Sequence, residues 1–230
     1  MNPFMTNFQA VQARLAEAAR RHGRRPADIR LVAVSKTRTA DAIRAVAALG
    51  QRDFGENYLQ EALDKIQRLA DLGLCWHFIG HIQSNKSAAI ASHFDWVHTV
   101  DRLKIAQRLS DQRPAAQPPL NICVQVNISG ESSKSGAAPA QLDELLPAIA
   151  GLPRLKLRGL MALPAPTDGF ERQRVAFHQL ATLLVRYQQR YGLDTLSMGT
   201  SADYEAAIAE GATLIRIGTA IFGVRTASAR

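Results

Sequence analysis

The sequence predicts an α/β fold: a single (β/α)8 TIM barrel with an extra N-terminal helix. Short apolar runs alternate strictly with helix-patterned segments, which implies a parallel sheet. Eight such units in 230 residues, somewhat under the ~250 typical of this barrel, fit closure better than an open sheet. No GxGxxG follows the first strand, although an open Rossmann-like sheet is the alternative.

The opening segment MNPFMTNFQAVQARLAEAARRHGRR patterns as an amphipathic helix that closes on Arg20, Arg21, Arg24 and Arg25, a solvated helix end. Strands are expected at 31–35, 52–55, 76–80, 96–100, 120–128, 155–162, 195–198 and 213–217. A helix over 41–49 is closed by Gly50. The longest helix covers 171–191, with Val175, Leu180, Leu183, Leu184 and Tyr187 at roughly helical spacing. QRPAAQPP at 112–119 is an exposed loop before the fifth strand.

Nearly half the residues (47%) are apolar and spread along the chain, so one domain over 1–230 can bury a substantial core. No cleavable leader or membrane-length apolar run is evident, and a soluble, cytoplasmic protein without membrane contact is expected. Cys75 and Cys123 lie in no CxxC or metal-type pair and are expected as reduced thiols. The formal charge of +8 attracts anions, but the arginine cluster lacks the interleaved aromatics on which bases would stack, so no nucleic-acid partner is expected.

Chemistry gathers at strand ends. In LVAVSK, Lys36 shares a face with Val32 and Val34 and stands at the carboxyl end of the first strand, where barrel active sites lie. A partly desolvated lysine near other cations loses its proton more easily and can attack an aldehyde. A lysine snorkelling at the rim is the plainer reading of this residue alone. In TLIRIGT, Leu214, Arg216 and Gly218 share parity, and closure puts the eighth strand beside the first, so Arg216 and Lys36 face one cavity. Two such cations suit an anionic or electron-rich ligand between them; a structural ion pair for Arg216 is the alternative. Gly218 and Thr219 offer amides and a hydroxyl, and Ser201 precedes a helix that it can cap. The loops after strands seven and eight commonly bind phosphate in this architecture.

The segments AVSKTRTADAIRAVAALGQRDFGENYLQEALDKI, WHFIGHIQSNK, VQVNISGESSKSG, LRGLMAL and RIGTAIFG together closely resemble the pyridoxal phosphate homeostasis protein family, which is similar to the N-terminal barrel of alanine racemase. The resemblance spans nearly the whole chain. It implies pyridoxal 5'-phosphate (PLP) as cofactor, with Lys36 carrying the imine, Arg216 facing the pyridine nitrogen and Ser201, Gly218 and Thr219 holding the phosphate. Asn57 in FGEN is a further pocket residue by the same resemblance. Thr200 and Ala202 depart from the family, standing where Met and an acidic residue are frequent.

His77 and His81 flank FIG at the end of the third strand without a carboxylate or third histidine to complete a zinc pattern; no metal is expected, and they line or cap the barrel mouth. The loop with Ser132, Ser133, Lys134 and Ser135 could bind an anion or be a plain surface turn; the resemblance places it near the cofactor mouth.

Two function classes follow. One is a non-catalytic binder that buffers, protects or delivers PLP, with PLP-dependent apoenzymes as partners; the other is an amino-acid racemase. Racemisation needs acid/base groups on both faces of the substrate, and in the racemase relatives the opposing tyrosine comes from a C-terminal β-domain absent from this sequence, so the binder leads. A monomer is expected, with a dimer as the alternative.

Overall fold

The computed structural model describes residues 2–131 and 135–224. Its elements run α1 (Met5–Arg21), β1 (Arg30–Val34), α2 (Ala40–Ala47), β2 (Asp53–Glu56), α3 (Leu59–Arg68), β3 (Cys75–Phe78) and α4 (Ser87–His93). They continue with β4 (Trp96–Val100), α5 (Leu103–Gln112), β5 (Leu120–Gln125), α6 (Leu142–Ala150), β6 (Leu155–Met161) and α7 (Phe170–Tyr191). β7 (Thr195–Ser197), α8 (Tyr204–Ala209), β8 (Leu214–Ile217) and α9 (Thr219–Phe222) complete the order. The eight strands pair in parallel with their sequence neighbours, and β1 pairs β8, so the sheet closes as the alternation predicts.

Closure gives every strand two buried faces. The outward side chains, such as Ala33, Phe54, Phe78 and Ile122, pack under the helices in a continuous apolar layer. The inward ones form a smaller cluster of Val32, Trp96, Cys123, Met161 and Leu214 that fills the barrel. Burying these faces is the main term favouring the fold, at roughly 25 cal/mol per Å² of apolar surface. The inward face also carries His77, His98, Ser197 and Arg216, all buried. A buried polar group must be hydrogen-bonded or it opposes folding, so this interior demands a complete set of partners.

Local signals explain several element ends. Thr39 accepts from the Ala42 amide at 3.2 Å and starts α2. Gly192, at φ 64°, stops α7 in the left-handed conformation that glycine adopts without strain. β5 ends at Gln125, short of the expected 128, and Val126 beyond it forms an isolated bridge with Ala137.

Two expectations change. Val175 is exposed, and Phe177 takes its place on the buried face of α7 beside Leu180, Leu184 and Tyr187. The arginine cluster is not simply solvated: Arg24 lies beyond α1 and donates to the carbonyls of Ile208 (3.2 Å) and Ala212 (2.5 Å), closing the end of α8, while Arg21 pairs with Glu205. Cys75 and Cys123 are free, and burial pushes the Cys123 thiol up to about 12. No helix among the described residues is long and apolar enough to cross a membrane.

Candidate functional site

Lys36 stands in a tight turn just past β1. The Arg38 amide donates to the Ser35 carbonyl at 3.0 Å, and Thr37 between them has φ 64°, alone among the described non-glycine residues in being positive. A β-branched residue there is strained by about 1–3 kcal/mol and persists only when its surroundings hold it. They do. Glu61 Oε1 accepts from the Thr37 amide at 2.5 Å, Ser35 Oγ donates to Glu56 Oε1 at 2.6 Å, and Lys65 Nζ donates to the Ser35 carbonyl and Glu56 Oε1, both at 2.8 Å. Glu56 and Lys65 are buried. Burial raises the Glu56 carboxyl above its ordinary value, outweighing the Lys65 ammonium and the Ser35 hydroxyl.

The Lys36 side chain is half-buried, and its amine makes no hydrogen bond or ion pair among the described residues. It lines a small cleft with Val34, Thr37, Arg38, Gly218 and Thr219. The β1–β8 register, Val32 to Arg216 and Ala33 to Ile217, brings the two strand ends together. The seam is close: a Cβ on Gly218 would meet the Val34 carbonyl oxygen at 3.0 Å. Arg38 Nη2 fastens the first loop to the last, donating to the Gly223 carbonyl at 2.5 Å.

Arg216 sits one inward position below Gly218 and does not line that cleft. Its Nη1 donates to Ser197 Oγ at 2.6 Å and its Nη2 to the Ala162 carbonyl at 3.0 Å. Burial pushes its guanidinium down to about 10, still far enough above neutrality to stay charged. No carboxylate of the described residues forms a salt bridge with it, so the structural ion pair considered for it is not found there.

Asn57 follows β2, and its buried Oδ1 has no hydrogen-bond partner among the described residues. Ser201 is exposed on the β7–α8 loop and does not cap the helix, contrary to expectation. Asp203 occupies the N-cap position, and its Oδ1 accepts from the Thr200 amide (2.6 Å) and hydroxyl (2.8 Å). Thr200, Ala202 and Asp203 border a larger mouth cavity of about 660 Å³, shared with Ser135, Leu163 and Arg172. The structure thus gathers Lys36, Gly218 and Thr219 in one cleft, sets Arg216 beneath, and leaves Asn57 and Ser201 on neighbouring loops. Ser132, Ser133 and Lys134 lie outside the described residues.

His77 belongs elsewhere than expected. It is buried inside β3, with Nε2 2.9 Å from Asp53 Oδ1 and Nδ1 2.9 Å from His98 Nε2, whereas His81 is exposed. Asp53, Cys75 and His77 bring ligand-type atoms within 4.8 Å of one another at the amino-terminal end of the barrel. Arg30 Nε, 3.0 Å from Asp53 Oδ1, already supplies a cation there. Sequence reasoning missed this cluster and the Glu56–Lys65 pair; inward parity of His77 and His98 was the available signal.

The alanine racemase N-terminal domain model matches residues 6–226. The pyridoxal phosphate homeostasis protein of Pseudomonas aeruginosa is 61% identical over 225 residues, covering 98% of this chain and 97% of its own. The chain belongs to this family. The Escherichia coli K12 member is 55% identical over 229 residues, covering 98% of both chains. Among solved structures, the family member PipY of Synechococcus elongatus with PLP bound superposes with a TM-score of 0.79 at 39% identity, covering 91% of this chain and 100% of that one. Alanine racemase of Corynebacterium glutamicum shares the fold alone, at TM-score 0.67 and 17% identity, over 97% of this chain and 63% of that one.

Proposed function

We propose that this chain binds PLP without turning over a substrate and serves PLP homeostasis by buffering, protecting or delivering the cofactor. The observation that carries the reading is the Lys36 amine, half-buried and without a partner among the described residues, in a cleft walled by Gly218 and Thr219. When bound, the cofactor supplies an aldehyde that a primary amine attacks with loss of water.

Lys36 makes that link. Gly218 and Thr219, with Ser201 from the β7 loop, hold the phosphate, and Asn57 directs its unpartnered Oδ1 to a polar group of the ligand. Arg216 faces the ring nitrogen. A guanidinium there, in place of a carboxylate, disfavours protonation of that nitrogen and so weakens the cofactor as an electron sink. The site favours carrying over carbanion chemistry. The strained turn at Thr37 fixes the direction in which Lys36 leaves the strand. PLP-dependent apoenzymes are the proposed recipients, the carrier acting as a monomer.

The test is to mix the protein with PLP, remove free ligand by desalting, and record the absorption spectrum together with an alanine racemase assay. Near-stoichiometric retained PLP with negligible racemisation supports the reading. Loss of all PLP on desalting, or turnover like that of true racemases, contradicts it.

A further inference from the structure

Four hydrogen bonds cross the barrel interior in series, each between inward-facing residues of different strands. Arg216 Nη1 on β8 donates to Ser197 Oγ on β7 at 2.6 Å. Ser197 Oγ lies 2.7 Å from His98 Nδ1 on β4, and His98 Nε2 lies 2.9 Å from His77 Nδ1 on β3. His77 Nε2 reaches Asp53 Oδ1, on the first residue of β2, at 2.9 Å. The series begins beneath the Lys36 cleft and ends at the opposite rim, where Arg30 holds the Asp53 carboxylate at 3.0 Å.

Its direction follows from the chemistry of its two ends. Burial raises the Asp53 carboxyl, but the His77 hydrogen bond and the Arg30 guanidinium outweigh that and hold it below its ordinary value, so it is ionised and can only accept. Burial keeps both imidazoles neutral. His77 must therefore donate from Nε2 and accept at Nδ1, which requires His98 to donate from Nε2 and accept at Nδ1. Ser197 then gives its only proton to His98 and accepts from Arg216, a donor alone. One arrangement of protons accounts for all four bonds. That arrangement also puts a proton on the His77 nitrogen that a metal ion would need free.

We propose that Asp53, His77, His98 and Ser197 form a one-way relay that passes the pull of a carboxylate through the barrel to Arg216, positioning its guanidinium and setting its strength as a donor toward the cofactor. The inference rests on the reading that places Arg216 at the ring nitrogen. Hydrogen bonds in such a chain polarise one another, so an ionised acceptor at one end makes the Ser197 oxygen a better acceptor at the other. This supplies a buried arginine with a distant counter-charge while keeping a carboxylate away from the cofactor ring. The four are positioning residues, acting through Arg216.

Two measurements test it. In ¹⁵N NMR of the PLP-free parent protein, His77 and His98 should both carry their proton on Nε2; a proton on Nδ1 of either overturns the relay. Asp53→Asn keeps an acceptor oxygen and removes the charge, so PLP retention should weaken about three- to tenfold and the absorption maximum of bound PLP should shift, as expected when a charged acceptor becomes neutral. In a Ser197→Ala background, where the series is cut, the same Asp53→Asn change should have no further effect. Equal effects in both backgrounds would mean a merely structural role and overturn the proposal. A parent protein that retains no PLP contradicts the functional reading instead, and the tautomers still decide the relay's direction.

Discussion

His77 and His98 meet inside the barrel, Nδ1 to Nε2 at 2.9 Å, with both side chains fully shielded from solvent. Burial lowers both imidazoles below the ordinary value of 6.5, His98 well below. The unfolded chain therefore binds more protons than the folded one just below that pH. Stability from this pair is complete above pH ~6.5 and declines as pH falls toward the folded values, by at most about 1.4 kcal/mol per pH unit for each histidine. Chemical denaturation between pH 7 and 5 should show this slope, and His98→Asn should flatten it. A parent slope that His98→Asn leaves unchanged would contradict the assignment.

Lys65 and Glu56 form a buried pair at 2.8 Å that supports the turn carrying Lys36. Removing one partner leaves the other charge uncompensated, so Lys65→Ala should destabilise the fold by about 3–5 kcal/mol. Thermal and urea unfolding will measure it. A loss below about 1 kcal/mol, typical of an exposed pair, would show that the pair does not hold the turn.

Thr219 lines the Lys36 cleft, whereas Ser201 stands exposed on the β7 loop. Thr219→Val and Ser201→Ala should each weaken PLP retention by about 1–3 kcal/mol, through loss of hydrogen bonds to a charged group. Cofactor titration reads both. Unchanged affinity in the two variants would move the phosphate site elsewhere.

The barrel was legible in the sequence because closure requires only alternation and parity, and both are written in apolar patterning. Lys36, Gly218 and Thr219 were legible for the same reason: strand ends in register must meet. Ser201 as a cap was not, because α8 starts only at Tyr204, so Ala202 and Asp203 intervene and Asp203 takes the N-cap position. The interior series from Arg216 to Asp53 was hidden because its middle bond, Ser197 to His98, joins β7 to the non-adjacent β4 across the barrel, and such a pairing leaves no spacing in the chain. His77 beside His81 suggested a local pair, yet β-strand parity sends the first inward and the chain leaves β3 before the second.

The proposed covalent link to PLP runs through the amine of Lys36. Intact-mass spectrometry after borohydride reduction of the PLP-loaded protein tests it, comparing the parent with Lys36→Ala and confirming the variant's fold by circular dichroism. Removing a half-buried lysine at the rim opens no large apolar cavity, so the variant should fold. A single reduced PLP adduct is expected on the parent and none on folded Lys36→Ala. An adduct retained at the parental level in the folded variant would contradict it and assign the link to another lysine.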